Sequence, residues 1–285
     1  MQFRKYQALG NDYLVIQPGE GGESLQSEDI RRICDRHFGV GADGILLGPL
    51  TAAGADFGVR IFNPNGSEAE ISGNGLRIFS RYLWDNGLVK DNPFTIHTAG
   101  GVVRSQVMQA GRLVKVEMGY PSFDSLKIPV AGPPREVIGE TMLVGGEELK
   151  YCAVTIGNPH CVILREAISP EEAGRLGPLV EQDSRFPNRI NVQFLKILDR
   201  ENIQIEIWER GAGYTLSSGS SSCAAASSAH RLGLCSPRIT VHMPGGRLDI
   251  RIDPDGMIHM TGPVARVCSG KIEIEGVNHA KIGPK

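Results

Sequence analysis

The chain has 285 residues, 41% hydrophobic and 22% charged, with a net charge of −2, the profile of a globular protein of about two domains. That balance leaves no basic excess to hold a phosphate backbone, so no nucleic acid is expected as a partner. Residues 1–6 read as a strand rather than a signal peptide, and no apolar run is long enough to span a bilayer, so a cytoplasmic location without a membrane partner is expected.

Residues 1–16 give two short β-runs around the turn Gly10-Asn11-Asp12. Residues 27–38 read as an amphipathic helix, with Ser27 as N-cap and Ile30, Ile33 and Cys34 on one face. Gly39-Val40-Gly41-Ala42-Asp43-Gly44 then leads into the strand Ile45-Leu46-Leu47. It is no nucleotide loop, because phosphate loops run from strand to helix and this one runs the other way. Residues 57–62 form an apolar β-run, a polar loop follows from Asn63, and Ser72-Gly73 opens a helix over residues 73–85. Apolar Leu76, Ile78, Phe79, Tyr82, Leu83 and Trp84 cover most of that helix, which is therefore expected to be enclosed. Strands over 101–107 and 113–118 follow, and the first half ends near Tyr120-Pro121-Ser122.

The pattern then repeats. Gly157-Asn158-Pro159 matches Gly10-Asn11-Asp12, and a surface helix over 169–184 has Pro170 in its first turn. A β-run at 203–208 leads into a loop from Glu209, and Ser218-Gly219 opens a helix of small residues over 220–232. Thr240-Val241-His242 and Gly245-Gly246 match Thr95-Ile96-His97 and Gly100-Gly101, strands at 247–252 and 257–261 follow, and Gly262-Pro263 closes the half. Ser72 stands as far beyond Asn63 as Ser218 does beyond Glu209, and the offset between the halves is nearly constant. Two long copies make a doubled domain rather than a solenoid. The expected fold is α/β (α+β), two pseudo-symmetric domains, each a mainly antiparallel barrel-like sheet around a central helix. The boundaries read as 1–120 plus about 264–285, and 121–263, with the run Lys271-Ile272-Glu273-Ile274 returning to complete the first domain.

Two facing helix starts, Gly73-Asn74-Gly75 and Gly219-Ser220-Ser221, offer free backbone N–H groups and partial positive charge to one small anion, such as an α-carboxylate. The same donors stabilise the charge that develops when the neighbouring α-proton leaves. Ser72 and Ser218 would then stand on opposite faces of the bound carbon, a geometry for inversion in which one group removes a proton and the other returns one. Taken singly, a serine at a helix start is more commonly a plain N-cap, and it is the matched spacing with the dense polar residues of both loops that favours a site. His97 and His242 each precede a Gly-Gly turn and read as structural, and Cys223 reads as core packing. The six cysteines show no C-x-x-C pair and no metal-ligand spacing, so they read as reduced and mostly buried, with no metal.

Gly10-Asn11-Asp12, Gly39-Val40-Gly41-Ala42-Asp43, Arg60-Ile61-Phe62-Asn63, Gly66-Ser67-Glu68-Ala69-Glu70, Gly73-Asn74-Gly75, Gly157-Asn158-Pro159-His160, Asn191-Val192 and Glu209-Arg210-Gly211-Ala212-Gly213 together resemble the diaminopimelate epimerase family over nearly the whole chain. The resemblance implies an amino-acid epimerase without cofactor, whose two domains close over a small-molecule amino-acid substrate. By position it assigns Asn11, Asn63, Asn158, Asn191 and Arg210 to the distal end of the substrate. Gly73, Asn74, Gly219 and Ser220 are assigned to the reacting α-carboxylate, and His160 and Glu209 to support of the proton-transfer groups. The chain departs from the family at the centre, because Ser72 and Ser218 stand where the family carries its two acid/base cysteines. Tyr214 stands where many members have an acid, and Gly44 where some have a polar residue. Three readings therefore remain: a diaminopimelate epimerase, natural or altered at both cysteine positions; a diverged racemase or lyase for another amino acid; and a binding homologue without chemistry. The sequence is compatible with a homodimer.

Overall fold

The computed structural model of the chain describes residues 1–20 and 25–273. The first half runs β1 (Gln2–Ala8), β2 (Asn11–Ile16), α1 (Ser27–Cys34), β3 (Ile45–Leu50), β4 (Phe57–Phe62), β5 (Glu68–Ala69), α2 (Gly73–Asp85), β6 (Phe94–Thr98), β7 (Gly101–Met108) and β8 (Leu113–Gly119). The second runs β9 (Glu140–Val144), β10 (Glu147–Thr155), β11 (Pro159–Leu164), α3 (Pro170–Glu181), β12 (Asn191–Ile197), β13 (Asn202–Glu209), β14 (Gly213–Thr215), α4 (Gly219–Arg231), β15 (Arg238–Met243), β16 (Gly246–Ile252), β17 (Ile258–Pro263) and β18 (Ala265–Lys271). No described helix is long and apolar enough to cross a membrane.

The pairings of one half are written again in the other. β2 and β3 run parallel, as do β11 and β12. β3 and β4 are antiparallel with Leu46 opposite Ile61, and β12 and β13 with Gln193 opposite Ile207. β4 pairs parallel with β6 at Gly58 and His97, and β13 with β15 at Gln204 and His242. The halves join through the antiparallel pair β8 and β17, with Val116 opposite Met260. The chain leaving β8 forms β9 on the edge of β10, and the chain leaving β17 returns to the first half as β18 on the edge of β1.

Helices α2 and α4 belong to one continuous core. On α2, Leu76, Ile78, Phe79, Tyr82 and Leu83 are wholly buried, each burial contributing roughly 1.5–3 kcal/mol. On α4 the buried Cys223, Ala224, Ala225, Ala226 and Ala229 are short enough to let strands and α2 come close. Helices α1 and α3 cover outer faces with clusters of their own. Five of the six cysteines are buried and free, and Cys268 is exposed.

Three expectations are corrected. Helix α1 is capped by Gln26 rather than Ser27, with the Asp29 carboxylate accepting from the Gln26 N–H at 2.9 Å. It ends at Cys34, because Asp35 turns extended and its carboxylate takes the N–H groups of His37 and Phe38 at 2.7 and 2.8 Å. The last strand among the described residues lies at Ala265–Lys271 rather than beginning at Lys271; every residue of it is exposed, so it carries no buried alternation to read, and Ile274 lies outside the described residues.

Candidate active site

Both central helices begin on a serine in extended conformation. The Ser72 hydroxyl accepts from the Gly75 N–H at 3.1 Å, and the Ser218 hydroxyl from the Ser221 N–H at 3.4 Å. Both are thus N-caps, and the first-turn N–H groups of Gly73, Asn74, Gly219 and Ser220 are the ones such a cap leaves to a ligand. The two starts meet. A Cβ placed on Gly73 would lie 3.4 Å from the Gly219 Cα, and one on Gly219 would lie 3.3 Å from the Gly73 Cα and 2.9 Å from the Met260 sulfur. A side chain at either position would crowd the facing helix start, so the two glycines let two positive helix ends converge on one point.

The polar residues around that point repeat the symmetry. Asn74 Nδ2 donates to Asn11 Oδ1 at 3.0 Å in one half, and Asn158 Nδ2 donates to Ser220 Oγ at 3.3 Å in the other. The loops before the serines are tied down alike: the Gly100 N–H donates to the Glu70 carbonyl, and the Gly245 N–H to the Leu216 carbonyl, both at 2.8 Å. Asn11 is anchored to Asp43 at 2.9 Å. Asn191 donates to the Pro159 carbonyl at 2.9 Å and accepts from the Arg210 N–H at 3.0 Å, while the Arg210 guanidinium reaches the Asn188 carbonyl. The Asn63 amide is held by Ser67 of its own loop at 3.0 Å.

Glu209, half-buried at the end of β13, lies near Ser218. Burial raises its pKa, the Ser218 side chain lowers it and the charge of Asp43 adds to the rise. On the other side, the Tyr13 hydroxyl lies 3.2 Å from the Ser72 Oγ. Burial pushes the Tyr13 phenol up to about 12.

His160 is fully buried, and burial lowers its pKa to about 3. Its neutral ring donates from Nε2 to Asn158 Oδ1 at 2.9 Å, leaving Nδ1 without a partner beside Gln193. His160 therefore orients Asn158 and carries no charge at neutral pH. Because the folded pKa lies below the usual His value, its contribution to stability is present above about pH 6.5 and is lost as pH falls toward 3. Chemical-denaturation midpoints should drop over that window by several kcal/mol in equivalent free energy, on the order that such a shift implies. The same measurement on His160→Gln should show a flatter pH profile.

Arg77 is also fully buried, with Nη2 donating to Asn74 Oδ1 at 2.8 Å, Nη1 lying 3.2 Å from the Met260 sulfur and Nε unpaired. Burial lowers its pKa to about 10, so it stays a cation and fixes Asn74 from behind the helix start. The charge also adds to the positive potential there.

The sequence model of the diaminopimelate epimerase family matches residues 3–123 and 152–267. The chain belongs to the diaminopimelate epimerase family. Among its relatives is diaminopimelate epimerase 2 of Nostoc sp., 58% identical over 96% of each chain. The diaminopimelate epimerase of Pelotomaculum thermopropionicum is 40% identical, over 95% of this chain and 98% of its own. Solved structures with the same fold include a probable proline racemase from Agrobacterium radiobacter, at 15% identity and TM-score 0.71 over 98% of this chain and 94% of that one. A hydroxyproline epimerase from Agrobacterium vitis with bound trans-4-OH-L-proline matches at 15% identity and TM-score 0.69, over 95% and 91% of the two chains.

Relative to the family pattern, the structure adds Tyr13 and Arg77 to the cluster, neither of which the motifs singled out. Arg77 looks like one polar break in an apolar helix, and only its contacts with Asn74 and with Met260 of β17 reveal its burial. Tyr13 had a signal in the repeat. The register that matches Asn11 with Asn158 also matches Tyr13 with His160.

Proposed function

We propose that the chain is a cofactor-independent amino-acid epimerase that interconverts LL- and meso-diaminopimelate, a step toward lysine and cell-wall precursors. The observation that carries this reading is the contact between Gly73 and Gly219, which brings two serine-capped helix starts to one point. Gly73, Asn74, Gly219 and Ser220 hold the α-carboxylate through backbone N–H groups and the helix ends. Ser218, backed by Glu209, and Ser72 address opposite faces of the α-carbon, while His160 holds Asn158 in place. Asn11, Asn63, Asn158, Asn191 and Arg210 receive the distal amino-acid end.

The pairing of β9 with β10 and the return of β18 to β1 support domain limits of 1–120 plus about 264–285, and 121–263, with the site in the cleft between them. The free, mostly buried cysteines fit a reducing cytoplasmic setting.

In deuterated buffer the protein should exchange the α-hydrogen of LL-diaminopimelate and accumulate the meso form. Binding without exchange would exclude the epimerase reading and leave the binding homologue. Release of ammonia or water in place of inversion would move the chain to the lyases.

A further inference from the structure

We propose that Tyr13 is the positioning residue of the second proton-transfer face, acting through Ser72 as Glu209 acts through Ser218. The inference rests on the epimerase reading and supplies what that reading lacks, a partner for the hydroxyl on the first-half face.

The geometry is specific. The Tyr13 and Ser72 oxygens are 3.2 Å apart, and the Ser72 oxygen already accepts from the Gly75 N–H. With the phenol donating as well, both lone pairs of the Ser72 oxygen are filled, and its own proton is left to point toward the site. Tyr13 is 6% exposed, and its place is prepared. A Cβ on Gly44 would lie 2.5 Å from the Tyr13 ring, so the absence of a side chain at that position makes room for the ring. Within the doubled chain, Tyr13 occupies the place that His160 takes in the second half.

The two faces are chemically unequal. On the Ser218 face the α-C–H bond breaks, its electron pair passes into the carboxylate system, and its proton goes to the Ser218 oxygen as the Ser218 proton moves to the Glu209 carboxylate. On the Ser72 face the Ser72 O–H bond breaks to form the new α-C–H bond, and the Ser72 oxygen takes the Tyr13 proton, leaving a phenolate that water reprotonates. The Glu209 carboxyl returns its proton to water, so the count closes. A phenol whose pKa is raised by burial holds its proton at neutral pH, so the O–H that faces Ser72 is present to be given.

The test is Tyr13→Phe, which keeps the ring against Gly44 and removes only the hydroxyl. Net inversion should fall at least tenfold. Solvent exchange should persist for the epimer whose α-hydrogen faces Ser218 and disappear for the epimer whose α-hydrogen faces Ser72. Adding Ser72→Cys to Tyr13→Phe should restore inversion, because a thiol brings its own acidic proton and needs no relay. A Tyr13→Phe protein that inverts at the wild-type rate overturns the inference and leaves the epimerase reading standing. A loss that Ser72→Cys does not rescue overturns it too, by assigning Tyr13 a packing role. A wild-type protein that exchanges neither epimer overturns the epimerase reading, and the relay with it.

Discussion

Replacing Glu209 with Gln is expected to slow α-proton exchange by about 10²–10⁴-fold, the usual contribution of a positioned acid/base group, without unfolding the chain. An alkyl hydroxyl is a poor base alone, so Ser218 depends on the carboxylate beside it. Burial raises the Glu209 pKa, toward the range where a carboxylate can both take and return a proton. The same shift sets the effect on stability. The fold favours the protonated form, so this group's contribution is present below the unfolded carboxylate pKa and is lost as pH rises through the folded value. At neutral pH and above, the ionised side chain costs stability, and Gln, neutral and of the same shape, removes that cost. The melting temperature of Glu209→Gln should therefore equal or exceed that of the wild type at pH 8, with the gap closing at pH 4. A variant that loses activity and melting temperature together at pH 8 would assign Glu209 to the scaffold.

The opposite change should raise the rate. Ser72→Cys combined with Ser218→Cys is expected to accelerate exchange by about 10²-fold or more. A thiol has a pKa near 8.5, and a helix N-terminus lowers it further. Both serine oxygens already receive a first-turn N–H, at 3.1 and 3.4 Å, so each thiolate would meet a donor and the positive end of a helix. Exchange rates and the pH dependence of alkylation, measured on the two single variants and the double, would check this. If both thiols alkylate with depressed pKa and exchange stays at the wild-type level, the cleft is not built for this α-carbon.

Much of the architecture was legible because the chain states it twice. The repeated strand, polar loop and Ser-Gly gave both central helices within a residue, and the register of β4 and β6 recurs in β13 and β15. What escaped was set by single side chains or by distant neighbours. Gln26 is not a usual cap, so Ser27 drew the helix start one residue late, and the Asp35 turn that ends α1 looks like one more helical residue in sequence. The exposed β18 has no inward face to give it a period. At the site, the helix starts were visible from local chemistry, whereas the Tyr13 hydroxyl and Ser72 meet across 59 positions of chain. The burial of Arg77 depends on the Met260 sulfur, 183 positions away.

The return of β18 to β1 has a consequence for assembly of the chain. The first half is completed by a strand that follows the second, and the N-terminal ammonium donates to the carbonyl of Ile272 at 3.0 Å. The closing ladder pairs Gln2 with Lys271, so it must wait until β18 has been made, which favours slow folding and leaves a released first half with one open β edge. It also brings Met1 beside Ile272. New termini cut between β8 and β9, with residue 273 linked to Met1, would preserve every described ladder and exchange only which half comes first.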